Sequence, residues 1–182
     1  MKEKAKAENA EIHWGDETGL RNNSQHGRSY SPKGRTPVKK SMAKRFSVNM
    51  ISTVTNQGKV VFMVYTGSMN SNRLIEFLDQ LIKGKKQKTF LILDNLRVHH
   101  SKLVKEWVEN NKESIELFYL PSYSPEKNPD EYCDLKYGLS IQPSLKNQEK
   151  LQENLNKHMN LLQSNPQRVK KYFQHPDIKY AA

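Results

Sequence analysis

The chain has 182 residues, enough for one domain with a proper core and too few for two comfortable ones. Hydrophobic residues make up 35% and charged residues 27%, which excludes wholesale disorder because enough Leu, Ile, Val, Phe and Tyr remain to bury a sheet. Lys and Arg total 30 against 19 Asp and Glu, a net charge of +11 that favours a polyanionic partner, nucleic acid ahead of membrane since no basic amphipathic anchor is visible.

Residues 2–9 alternate Lys, Glu and Ala in a helix-friendly way with no apolar face, so residues 1–10 read as a linker ahead of the domain. They also lack the apolar core of a secretion signal. AEIHWGDETG then predicts a short strand ending near Asp16, with Gly15 and Gly19 marking the turn. From Arg28 to Arg45 there are seven basic residues and no acid, broken by Pro32, Gly34 and Pro37, which makes residues 21–45 a basic loop.

RFSVNMISTVTNQGKVVFMVYTG reads as a hairpin: Phe46, Val48, Met50 and Val54 alternate with mostly polar neighbours, NQG supplies the turn, and Val60 to Tyr65 return. Its VVFMVY run is the longest apolar stretch and far too short to span a membrane. SNRLIEFLDQLIKG places Leu74, Ile75, Leu78, Leu81 and Ile82 on one helical face, stopped by Gly84.

TFLILDNLRVHHS comes next. Phe90 to Leu93 is too short and continuous for a helix and predicts a central strand buried on both faces, running straight into Asp94. Ser101 caps a helix whose Leu103, Val104, Trp107 and Val108 form an apolar stripe, and SIELFYLP makes another strand, so strand, helix and strand form a parallel right-handed crossover. Two further helices, about 129–140 and 145–163, complete an α/β domain over 11–163, and 164–182 reads as a basic tail with a short helix at most. Trp14 and Trp107 belong to the core. The single cysteine, Cys133, precludes an internal disulfide, points to a reducing cytoplasm and reads as a packing residue.

In sheets of this kind the functional edge lies at the carboxyl ends of the strands, where Asp94 sits. Asp16 and Glu131 are the other acids that stand out. Converging carboxylates repel one another and are tolerable only if a cation shares their site. Hard oxygen ligands suit Mg2+ or Mn2+, and two such ions can activate a water or a 3′ hydroxyl and steady the leaving oxygen. Side chains alternate along a strand, so Asp16 and Glu17 cannot both face the site if the strand runs through them; that alone leaves the choice open. In a helix after Pro129, Glu131 lies one turn before Leu135 and two before Leu139 on the sheet-packed face, whereas Asp130 and Asp134 share another.

WGDETGL, LILDNLRVHHSK and LFYLPSYSPEKNPDEYCDLK closely resemble the catalytic domain of DDE transposases in the bacterial insertion-sequence branch of the mariner superfamily. The resemblance spans Trp14 to Leu139. It implies an RNase H-like mixed five-stranded sheet, the first three strands antiparallel and the rest parallel, flanked by helices. It also implies a triad of Asp16, Asp94 and Glu131, with 36 residues between the last two, binding two Mg2+ or Mn2+ ions. The activity implied is DNA nicking by water followed by joining of a 3′ end to target DNA.

The basic loop resembles the family's clamp loop, which implies a homodimer on DNA and phosphate contacts at Arg28, Lys33, Arg35, Lys39 and Lys40. Asn95, His99 and His100 are supporting candidates, where a histidine could contact the scissile phosphate, relay a proton, or simply be bonded locally. Relatives carry helix-turn-helix DNA-recognition modules ahead of the catalytic part, and none is legible here. The alternative reading is therefore a catalytically idle DNA-binding or dimerisation fragment.

Overall fold

The computed structural model describes residues 1–21, 32–35, 46–121, 128–129 and 147–181, apart from the side chains at 177, 179 and 180. In chain order these form α1 (Lys2–Ala7), β1 (Glu11–Arg21), β2 (Ser47–Val54), β3 (Val60–Tyr65), α2 (Ser71–Ile82), β4 (Thr89–Leu93) and a single 3-10 turn (Arg97–His100). They continue with α3 (Lys102–Asn110), β5 (Ile115–Tyr119), α4 (Gln148–Gln163), α5 (Pro166–Tyr172) and a 3-10 segment (Pro176–Ala181). The sheet order is β3-β2-β1-β4-β5. β1 pairs antiparallel with β2 and β2 with β3, while β4 runs parallel to both β1 and β5. This is the mixed sheet expected from the sequence.

Strand alternation divides the core in two. Even-numbered residues of the sheet, among them Trp14, Leu20, Val48, Met50, Val54 and Ile92, pack against Leu151, Leu155, Met159 and Leu162 of α4. Odd-numbered ones, Ile51, Leu91, Leu93 and Ile115, meet Leu74, Phe77, Leu78 and Leu81 of α2 and Val104 of α3. Burying four large side chains on α2 contributes about 1.5–3 kcal/mol each, and its ends are set locally. The Asn70 side chain accepts from the Arg73 amide at the start, and Gly84 takes φ +71° just past the end. β4 is buried along its whole length, as its unbroken apolar run requires.

Several elements differ from the sequence reading. β1 does not stop near Asp16 but continues to Arg21, still paired to β2. Gly15 is a packing residue rather than a turn: a Cβ there would stand 2.9 Å from Leu93 Cδ2 and 3.2 Å from the Ser52 carbonyl. Leu103 is 54% exposed, because α3 turns Val104 inward with Trp107 and Val108 beside it. Within the basic stretch read as carrying a short helix at most, α5 is followed by a 3-10 segment, and Val169, Phe173, Ile178 and Ala181 are buried against the even face. α1 also buries a small apolar residue, Ala5, and is tied down by Lys88 to Glu8 at 2.9 Å and by Lys4 to Glu116. Of the helix expected over 145–163, Gln148–Gln163 is seen, opened by an Asn147 cap. The helix expected over 129–140, and Cys133 with it, lie outside the described residues, and no helix among the described ones is long and apolar enough to cross a membrane.

At the opposite end of the sheet from Asp94, the first turn of β1 buries a charged cluster. The fully buried His13 ring has Nε2 2.9 Å from Glu11 Oε2 and 2.7 Å from Lys85 Nζ, and Nδ1 3.1 Å from Thr53 Oγ1. Lys85 also reaches Glu11 at 3.2 Å. Burial holds the His13 pKa below its ordinary value despite Glu11, while hydrogen bonds from His13 and Lys59 keep the Glu11 carboxyl far below the usual range despite burial.

Both groups bind protons less readily folded than unfolded, so the stability they contribute is lost as pH falls. The His13 loss begins below about pH 6.5 and the Glu11 loss below about pH 4.3, the unfolded values. Urea unfolding of the wild type should therefore lose stability between pH 6.5 and 5 with a His13 share of at most about 1.4 kcal/mol per pH unit. His13→Gln should flatten that slope, and a slope equal to the wild type's would contradict the assignment.

Candidate active site

The β1–β4 ladder pairs Glu11 with Thr89 and Trp14 with Ile92 and then ends. Continued by two residues at the same offset, it sets Asp16 opposite Asp94, the first residue beyond β4. Asp16 keeps the even phase of β1, and Asp94 directly follows β4. Parallel pairing thus delivers two acids far apart in the chain to the carboxyl edge of the sheet, where functional groups of such sheets gather. The Asp94 side chain is 44% exposed and open to a solvent-borne ligand.

Glu17 belongs to the opposite side. Its carboxylate lies 3.3 Å from His99 Nε2 and accepts from the Tyr65 hydroxyl at 3.3 Å. The strand does run through Asp16 and Glu17, so the two acids face opposite sides of the sheet, and Glu17 is the one that shares His99 with Asp94. Burial, followed by the charge of Glu17 beside it, pushes the Tyr65 phenol above its ordinary pKa, so it remains a neutral donor.

His99 is almost fully buried and links Glu17 to Asp94. Its Nδ1 lies 2.9 Å from the Asp94 carbonyl and 3.3 Å from Asp94 Oδ1. Burial by itself would lower its pKa, but its hydrogen bonds to the Glu17 carboxylate and the Asp94 carbonyl outweigh it and raise the value. His99 therefore positions the Asp94 backbone and carboxylate. The local bonding expected of a histidine here exists, and the distant partner Glu17 is added to it. Its neighbour His100 bonds through Nε2 to Asn95 Oδ1, and Asn95 itself is exposed.

One residue at the site escaped the sequence reading. Asn128 is 2% exposed and donates from Nδ2 to the Gly15 carbonyl at 2.9 Å. That bond anchors Asn128 on β1, one residue from Asp16 and just past the last β1–β4 pair. Glu131 follows three residues on and lies outside the described residues, as do Arg28, Lys39 and Lys40 of the basic loop. Lys33 and Arg35 are described and exposed, on a turn closed by Arg35 N to Pro32 O at 3.0 Å with Gly34 at φ +86°.

The donor set suits a hard divalent cation, with two adjacent oxygen-only side chains and no soft ligand beside them. Among the described residues no group of three His, Cys, Asp or Glu side chains is placed to hold a metal ion.

The DDE superfamily endonuclease family matches residues 11–152, well over half of the chain. A comparison with curated proteins found no match. Among solved structures, a pre-cleavage Mos1 transpososome superposes with a TM-score of 0.66 at 15% identity, over 99% of this chain and 58% of that one. The mariner Mos1 paired end complex with Mg gives 0.65 at 15% identity, over 94% and 56%. The catalytic domain of Mos1 mariner transposase gives 0.61 at 14% identity, over 98% and 87%. The mixed sheet and flanking helices match the RNase H-like fold of that catalytic domain. This chain spans only 54% of the Mos1 chain in the strand transfer complex.

Removing the Asn128 amide leaves the Gly15 carbonyl without that bond in a buried place. Asn128→Ala should cost about 1–3 kcal/mol in chemical denaturation, with the Gly15 amide exchanging hydrogen faster than in the wild type. Unchanged stability and exchange would count against the anchor.

Proposed function

From a chain that belongs to the DDE superfamily endonucleases, we propose the following activity: it is the catalytic domain of a transposase of the bacterial insertion-sequence branch of the mariner superfamily, nicking DNA and then joining a 3′ end to target DNA. The observation that supports this reading best is the carboxyl edge of the β1–β4 pair: Asp16 lies two residues past its last pair, Trp14 with Ile92, and Asp94 directly follows β4. Asn128, held on Gly15, stands three residues before Glu131 in the chain. The motif LPSYSPEKNPDE is what favours the insertion-sequence branch.

Asp16, Asp94 and Glu131 would hold two Mg2+ or Mn2+ ions, a choice supported by the all-oxygen donor set and by the Mg and Mn named for Mos1 complexes. When bound, such ions lower the pKa of an attacking water or 3′ hydroxyl and neutralise charge on the leaving oxygen. The protein's part is positional. β1 carries Asp16, and His99, itself held by Glu17, braces Asp94 just past β4. Asn95 and His100 stay bonded to each other beside Asp94 in a supporting place.

The net charge of +11 supports DNA as the substrate, as do the transposon ends named for a Mos1 complex. Lys33 and Arg35, with Arg28, Lys39 and Lys40, would contact phosphates without reading sequence, across a homodimer assembled on DNA. Recognition of specific ends then falls to the helix-turn-helix part that relatives carry.

Supercoiled plasmid incubated with the chain and Mn2+ or Mg2+ should be nicked, and chelation should stop it. Asp16→Asn, Asp94→Asn and Glu131→Gln should each lower the rate by roughly 10²-fold or more. Wild-type rates in Asp94→Asn would exclude the site.

A further inference from the structure

Glu17 is an acid beside the site that holds no place in the triad, and both of its oxygens are engaged. Oε1 lies 3.3 Å from His99 Nε2, and Oε2 accepts from the Tyr65 hydroxyl at 3.3 Å. Tyr65 closes β3, the edge strand, so this bond passes over β2 to reach β1. Backbones two strands apart are separated by about 10 Å, a gap that a side chain as long as tyrosine closes and a serine or threonine would not.

Tyr65 is itself held. The register pairs Glu17 with Ile51 and Ile51 with Met63, so Tyr65 follows Met63 by two residues and keeps to the same odd face. The Arg73 guanidinium stands 5.7 Å from the centre of the Tyr65 ring and is fixed in turn by a bond to the Ser68 carbonyl. Tyr65 therefore presents its hydroxyl from a ring gripped by the first turn of α2. Beyond Glu17 the contacts run on through His99 to the Asp94 carbonyl at 2.9 Å and to Asp94 Oδ1 at 3.3 Å. A chain of side chains thus crosses the sheet from its edge strand to an acid proposed to bind metal.

We propose that Tyr65 is a positioning residue for Asp94: its hydroxyl fixes the Glu17 carboxylate against His99, and His99 so held keeps Asp94 in place for a metal ion. A carboxylate bonded through one oxygen can turn about its last torsion and slacken its hold on His99. With both oxygens engaged it cannot turn without breaking a bond, so Asp94 is ordered before the ion arrives. The inference rests on the proposed metal site and extends its supporting partners to a third strand.

Mn2+ binding, followed by the EPR signal of the free ion as it is titrated into the full chain, tests this without turnover. The wild type should bind Mn2+ at a site that is lost in Asp94→Asn. Tyr65→Phe keeps the ring and its Arg73 contact and removes only the hydroxyl. It should bind about 3- to 10-fold more weakly, less than the roughly 10- to 100-fold expected for a ligand's direct partner. Glu17→Ala should weaken binding at least as much, and Tyr65→Phe added to it should change nothing further. Affinity in Tyr65→Phe equal to the wild type's, or the same loss with and without Glu17, overturns the positioning role and leaves the metal site standing. A wild type that binds no more Mn2+ than Asp94→Asn overturns both.

Discussion

The packing of β1 against β4 fixes what stands at the carboxyl edge of the sheet. The two strands pair in register from Glu11 with Thr89 to Trp14 with Ile92, and Asp16 and Asp94 follow two residues on, Asp94 already past the end of β4. A slip of one residue in either strand would turn its own apolar side chains, Trp14 on β1 or Ile92 on β4, out of the even-faced cluster and into water. Hydrophobic pairing therefore fixes where the two strands deliver these acids.

The residues around the pair act on position. Asp94 stands just past the end of β4, where a strand-end residue would otherwise be loosely placed, and His99 grips both its carbonyl and its carboxylate from a buried seat on Glu17. Asp16 needs no such brace because β1 continues beyond it, paired with β2 as far as Arg21. Gly15 admits the side chain of Leu93 so closely that no Cβ fits without a shift, which lets β1 and β4 meet tightly just before the two aspartates. Strand pairing thus places Asp16, while Asp94 is placed by the end of β4 together with the grip of His99.

Much of this was legible in the sequence, because alternation and helical period are local signals. The β2–β3 hairpin, the apolar face of α2, the doubly buried β4 and the caps at Ser101 and Gly84 all appear where those signals put them. The misreadings have local causes too. Gly15 and Gly19 look like turn punctuation, whereas the chain uses Gly15 for close approach, so β1 ran longer than expected. Leu103 fits a helical stripe, but the axis of α3 is set by Val104, and burial of one position exposes its neighbour. The late apolar residues Val169, Phe173 and Ile178 are sparse among Lys and Arg, and only the even face of the sheet gives them a place to pack. Asn128 could not be read as an anchor, since its partner lies 113 positions away and a lone asparagine before proline is ordinary turn chemistry. Strand phase, however, separates Asp16 from Glu17, a choice the sequence left open.

The central claim is that Asp16 and Asp94 together ligate divalent metal. Crystals of the full chain soaked in Mn2+ and measured at the manganese absorption edge test it directly. The account predicts anomalous density bridging the Asp16 and Asp94 carboxylates, absent from Asp94→Asn crystals treated alike. Manganese bound elsewhere, with those two carboxylates bare, would contradict it.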